Sequence, residues 1–237
     1  MDNEIQLFFE KQKENVRKDS MRYVHDYIMD NNVKNFVEFG MSRISGIEGD
    51  FTILGSLLAK LKKIKFTSVD IDCETVNRMI SHLKGSEYKL LQSDEGEVSL
   101  ICQDQYKFME DYDGDPFQYV FLDGGDGNKH GAFQCLLDSN ILDSHALICI
   151  DDMVTWNPWS DSTYSVQTNE VVKIINEDKR LTPVNKIEYS PLNEEQEKWI
   201  KYNSENPISS NFDVYPEGVR QYEYQILVKY NKNGDEK

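Results

Sequence analysis

Basic residues are scarce in this chain. Lys and Arg number 26 against 42 Asp and Glu over 237 residues, a formal net charge of −16. Such a field repels phosphate backbones and anionic bilayers, so neither nucleic acid nor membrane is expected as a partner. It leaves small molecules and divalent cations open. Long apolar runs are missing as well: nothing approaches the ~20 residues of a membrane span. The opening stretch MDNEIQLFFEKQKENVRKD is charged throughout and has no apolar secretory core, so the expected location is cytoplasmic. Cysteine is confined to Cys73, Cys102, Cys135 and Cys149, widely spaced and without a CxxC pair. That spacing predicts buried free thiols in a reducing compartment rather than disulfides or a zinc site. There is no G-x-G-x-x-G loop and no Tyr-x-x-x-Lys relay, which sets nicotinamide dehydrogenases aside. Internal repeats and low-complexity linkers are also lacking.

What is present is an alternation. Hydrophobic residues make up 39% and aromatics 11% of the chain, enough for a core. Short apolar runs at 35–40, 65–71, 98–102, 117–123 and 145–151 are apolar at consecutive positions, as strands buried on both faces of a parallel sheet are. Helical patterns fill the gaps at 50–62, 73–84, 104–112 and 131–142. The fold class is therefore α/β, a doubly wound Rossmann-like sheet, mostly parallel. Residues 1–32 form a leading helical segment whose helices could pack on a second subunit, so a homodimer is an open expectation. The domain proper runs from 33 to 237. A helix at 168–180 and a strand near 184–190 precede the polar stretch 191–221, a lid or insertion. The final strand, 222–230, is expected to run antiparallel.

Ligands of such sheets lie at the carboxyl ends of the strands. All five ends carry an acidic group: Glu38 with Gly40, then Asp70 and Asp72, then Gln103 with Asp104, then Asp123, then Asp151 and Asp152. Gly40 lets the backbone turn sharply and approach a ligand, and Ser42, Ser45 and Gly46 continue the loop with small side chains. Asp70 is placed to accept both hydroxyls of a ribose. Asp72 is better suited to cap the helix beginning near Cys73. Gln103 and Asp104 can meet an adenine edge, with a helix cap as the alternative for Asp104.

Together the segments VEFG, SVDID, LICQD, VFLDGGD and ICIDDM resemble class I S-adenosylmethionine-dependent methyltransferases over roughly residues 33 to 153. The closer similarity is to the metal-assisted catechol, caffeoyl-CoA and sugar O-methyltransferases. The resemblance implies that Glu38, Gly40 and Ser42 hold the methionine portion of the cofactor. It likewise implies Asp70 for the ribose and Gln103 with Asp104 for the adenine, with Asp123 also near the cofactor. Where that family places a further glycine, this chain has Ile44, and its next glycine is Gly46.

In a sheet of order 3-2-1-4-5 the ends of the fourth and fifth strands are neighbours, so Asp123, Asp151 and Asp152 converge. Oxygen ligands alone favour Mg²⁺, Mn²⁺ or Ca²⁺ over zinc. In the resembled family a divalent ion binds vicinal hydroxyls and activates one of them. The alternative is that the pair caps the next segment and Asp123 starts a turn. His130, just beyond that turn, is the candidate general base beside Asp123, with a structural role as the alternative. Trp156, Trp159 and Tyr164 either wall a substrate or pack against Trp199, Tyr202 and Phe212 of the lid. The expected function is methyl transfer from S-adenosylmethionine to a hydroxyl of a small acceptor, a sugar or natural-product intermediate, with Mg or Mn. Metal-independent N-methylation and a non-catalytic binding module are the alternatives.

Overall fold

A computed structural model describes residues 3–12, 18–41, 51–85, 96–124, 128–154, 163–188 and 223–234. Helices α1 (Asn3–Lys11) and α2 (Lys18–Asp30) lead into strand β1 (Asn35–Phe39), which is buried at every position. Then follow α3 (Phe51–Lys62), β2 (Lys65–Asp70), α4 (Cys73–Gly85), β3 (Glu97–Cys102), α5 (Gln105–Asp111) and β4 (Phe117–Leu122). The chain continues through α6 (Lys129–Asp138), β5 (Leu142–Val154), α7 (Thr163–Glu177), β6 (Leu181–Glu188) and β7 (Glu223–Tyr230). One seven-stranded sheet runs β3-β2-β1-β4-β5-β7-β6. The first five of these strands are parallel to one another, and β7 runs antiparallel to both β5 and β6.

Side-chain alternation divides the core into two layers. Phe36, Tyr119, Phe121, Leu147 and Leu227 face one side of the sheet, where α1 to α4 contribute Phe8, Ile28, Leu54, Leu58 and Met79. Val37, Phe39, Val120, Ile148 and Val228 face the other, with Phe108, Phe133, Leu136 and Val171 from α5, α6 and α7. The apolar faces of α1 and α2 are thus covered within this chain, by α3 and the sheet. Helix α3 is buried at every position from Phe51 to Ala59 because it lies between the sheet and those leading helices. No described helix is long and apolar enough to cross a membrane.

Several details differ from the sequence reading: the helix expected at 168–180 is α7 at Thr163–Glu177, and the strand expected near 184–190 is β6 at Leu181–Glu188. The helix expected at 131–142 spans Lys129–Asp138, because Leu142 is taken by β5, where it pairs with Phe117 of β4. Cys73 and Cys102 are exposed and joined in a disulfide, with Cα atoms 5.0 Å apart, while Cys149 is buried and Cys135 half-buried as free thiols. The β2–β3 register sets Asp70 opposite Cys102, and Cys73 follows Asp70 by three residues, so the two cysteines meet although 29 residues separate them in sequence. The Ser42–Asp50 loop, the aromatic segment with Trp156 and Trp159, the side chain of Tyr164, and the 191–221 stretch with Trp199, Tyr202 and Phe212 lie outside the described residues.

Candidate active site

The central strand ends in a main-chain knot. Gly40 donates its N–H to Val69 O of β2 at 2.9 Å, while Phe39 O accepts from Asp123 N at 2.8 Å and from Gly124 N. Gly40 has φ +92, and a Cβ there would lie 2.5 Å from Gly124 N. No other residue fits this notch without moving the turn after β4. The β1 and β4 ends therefore meet backbone to backbone.

On the β2–β3 side, Asp70 is held by two main-chain donors: Met41 N to Oδ2 at 2.8 Å and Asp72 N to Oδ1 at 2.7 Å. Each carboxylate oxygen keeps a further lone pair, so the orientation is fixed while acceptor capacity for a diol persists. Asp72 caps α4, accepting from Thr75 Oγ1 at 2.7 Å and Glu74 N at 3.0 Å, and these bonds lower its pKa. Asp104 caps α5, with Oδ1 accepting from Tyr106 N and Lys107 N. Its carboxylate thus has the cap role that was the alternative to adenine contact. Gln103 ties its main chain to Asp70 O at 3.0 Å. Between these groups Ile71 is 70% exposed, an apolar side chain standing on a polar rim.

Glu38 is only 1% exposed. Its Oε2 accepts from Thr52 Oγ1 of α3 at 2.7 Å and Ser68 Oγ of β2 at 2.5 Å, so the carboxyl stitches three elements beneath the rim. Burial pushes its pKa from an ordinary 4.5 up to about 8; the two hydroxyl donors oppose this, and Asp123 and Asp70 add to it. A positively charged ligand group above it would favour the ionised form.

The acidic centre is on the β4–β5 side. One oxygen each from Asp123, Asp151 and Asp152 lie within 4.8 Å of one another. In a regular strand, consecutive side chains point to opposite faces, so Asp151 and Asp152 could not both contribute. Strand β5 solves this with a bulge: Ile150 pairs with Ile226 but Met153 with Tyr224, and Asp152 has φ +55. A left-handed non-glycine residue costs roughly 1–2 kcal/mol, and such strain collects at functional sites.

Three groups around this centre escaped the sequence reading. Gln225, 2% exposed on β7, donates from Nε2 to Asp151 Oδ1 at 3.0 Å and so fixes that carboxylate. Lys129, 2% exposed, donates from Nζ to Asp123 O at 2.5 Å and lies 3.7 Å from Asp123 Oδ1. Its main-chain N–H donates to Gln167 Oε1 of α7 at 2.7 Å, which pins the start of α6 to the rim. A polar residue directly before the apolar run Ile226–Val228 marks Gln225 in sequence; Lys129, in a turn-rich stretch, carries no such mark. His130 adjoins Lys129 but is not part of the converging carboxylate group. Its Nδ1 is buried without a hydrogen-bond partner among the described residues.

An oxygen-only donor set of this span suits Mg²⁺, Mn²⁺ or Ca²⁺.

No protein-family model and no curated relative matches the sequence. Solved structures do resemble it. An O-methyltransferase from Bacillus cereus in complex with SAH shares 12% identity at TM-score 0.60, covering 96% of this chain and 88% of the other. The O-methyltransferase TomG from Streptomyces achromogenes, involved in tomaymycin synthesis and complexed with SAM, shares 12% identity at TM-score 0.58, with 90% and 80% covered. An rRNA methylase from Streptococcus thermophilus shares 13% identity at TM-score 0.51, with 89% and 95% covered. The fold is that of class I methyltransferases. At these identities the likeness extends to the fold and not to the acceptor.

The buried Glu38 sets a pH dependence. Its folded pKa exceeds the unfolded one, so the native state keeps a proton that the unfolded chain loses between roughly pH 4.5 and 8. Stability associated with this group is full at low pH and falls as pH rises through that window, by up to about 1.4 kcal/mol per unit. Chemical denaturation from pH 5 to 8 should show this fall in wild type and a flatter profile in Glu38→Gln; parallel profiles would place the titration elsewhere. At the bulge, Asp152→Gly relieves left-handed strain and like-charge repulsion, partly offset by the extra freedom of glycine when unfolded. The expected outcome is a gain of about 1 kcal/mol without metal, or about 2–4 °C in melting temperature. A lower melting temperature would instead make the Asp152 carboxylate a structural partner.

Proposed function

We propose that this protein is an S-adenosylmethionine-dependent methyltransferase acting on a hydroxyl of a small acceptor, a sugar or natural-product intermediate, with a divalent cation held by Asp123, Asp151 and Asp152. The observation that carries this reading is the β5 bulge, which sets Asp151 and Asp152 beside Asp123 on the rim that also holds the Gly40 notch and Asp70. S-adenosylmethionine, when bound, supplies a methyl group on a sulfonium, and a divalent ion, when bound, lowers the pKa of an acceptor hydroxyl. The chain's own residues do the rest. Asp70, oriented by Met41 and Asp72, accepts from a ribose, with Gln103 and Asp104 beside it. Glu38 gives the methionine end an ionisable carboxyl that a positive charge favours. Gly40 lets the turn after β4 close against the end of β1, and Ser42 is a further candidate for the methionine end.

His130, just beyond the Asp123 turn, takes the hydroxyl proton in this reading. Lys129 holds the turn that positions Asp123 and offsets part of the acidic charge. The net charge of −16 argues for a small acceptor over nucleic acid. Lys129 also favours a second reading, metal-independent methylation of a nitrogen, because an ammonium already stands beside Asp123.

Calorimetric titration with S-adenosylmethionine, followed by methyl-transfer assays on vicinal diols with and without chelator, tests both. The expected result is cofactor binding below millimolar concentration and activity that Mg²⁺ or Mn²⁺ restores in wild type but not in Asp151→Asn. Activity indifferent to chelation and to Asp151→Asn would favour the metal-free reading. No binding at millimolar cofactor would overturn both and leave a binding module.

A further inference from the structure

Cys73 and Cys102 lie at the adenosine end of the rim and belong to no step above. Cys73 is the first residue of α4, three after Asp70, and Cys102 is the last of β3, directly before Gln103 and Asp104. Both are exposed, their Cα atoms are 5.0 Å apart, and they are joined. That Cα separation lies within the range that disulfides span. Asp70 and Cys102 are register partners across β2 and β3, so the crosslink spans the two strand ends assigned to ribose and adenine. Strand β3 is the outer edge of the sheet, and none of its residues is fully buried. Among the described residues β2 is its one strand partner, and the sulfur bridge is a second tie at the end where the ligand-facing residues sit.

We propose that Cys73 and Cys102 are a redox-responsive dithiol site that reacts with small-molecule disulfides such as oxidised glutathione, and that its closure tightens cofactor binding. The second part rests on the assignment of Asp70, Gln103 and Asp104 to the cofactor. Cys73 stands at the start of α4 and is open to solvent. Its sulfur attacks one sulfur of the small disulfide, breaking that S–S bond and releasing one thiolate. Cys102 then attacks Cys73 Sγ, the mixed disulfide breaks, and a second thiolate leaves. The two cysteine protons pass to the two released thiolates. The protein loses two electrons and the small disulfide gains them, giving two thiols. Closure holds the β3 end in register with Asp70, so less ordering is left for the ligand to impose.

Coupling of this kind is reciprocal. If the oxidised protein binds SAH on the order of tenfold more tightly than the reduced one, saturating SAH must favour the disulfide by the same factor. For a two-electron couple that is a midpoint about 30 mV more negative. The test equilibrates the protein in glutathione redox buffers with and without SAH, alkylates free thiols, and counts them by mass spectrometry in a Cys135→Ser background. Calorimetry with SAH on the fully oxidised and fully reduced protein gives the affinities directly. The expected results are one reversible two-electron transition mapped to Cys73 and Cys102, tighter SAH binding when oxidised, and a matching midpoint shift. Cys73→Ser and Cys102→Ser should each bind SAH like reduced wild type in every buffer. Failure of the pair to oxidise in the most oxidising buffer, or equal affinity in the two states, would overturn the proposal. Binding of SAH by neither state would overturn the cofactor assignment and the coupling with it. That failure is distinguishable because the ligand-free transition is still measured.

Discussion

Carboxylates held within 4.8 Å of one another repel, and a chain free to choose would separate them. Here the backbone does not permit it. Asp123 is fixed by the hydrogen bond of its N–H to Phe39 O, and Asp151 and Asp152 by a bulge that places Asp152 in the left-handed region. Gln225 and Lys129 then address individual members of the cluster, Gln225 by donating to Asp151 and Lys129 by approaching Asp123. These contacts and the backbone geometry hold the three carboxylates together on the rim, and the proposed divalent cation would offset their mutual repulsion.

The same rim links the two ends of the site through main-chain contacts. Gly40 touches β2 through Val69 O and the β4 turn through Gly124, and Met41, the next residue, fixes Asp70. Below them Glu38 joins β1, β2 and α3 and feels Asp123 and Asp70 electrostatically. A change in charge on the rim is therefore transmitted to a group in the core.

Much of this could be read in advance where local pattern and burial agree. Strands β1 and β4 and the second half of β5 are largely buried on both faces, so their apolar runs stand out in the sequence, and each strand end carries its acidic residue to the rim. Asp72 as a helix cap followed from its position alone. Features that depend on contacts between distant segments were not legible. Lys129 sits in a run of glycines and polar residues that reads as a solvated turn; its burial comes from α7, through Gln167, and from Asp123. Cys73 and Cys102 meet only because β2 and β3 are parallel neighbours in one particular register. The bulge in β5 has no sequence mark, since IDDM would continue a regular strand equally well. Leu142 reads as the end of a helix until β4 is known to pair with it.

The most direct measurement is anomalous diffraction from crystals grown with SAH and Mn²⁺. The account predicts one strong manganese peak bonded to oxygens of Asp123, Asp151 and Asp152, with SAH along the Gly40–Asp70 rim. Well-defined SAH in that position with no manganese peak among the three carboxylates would contradict it.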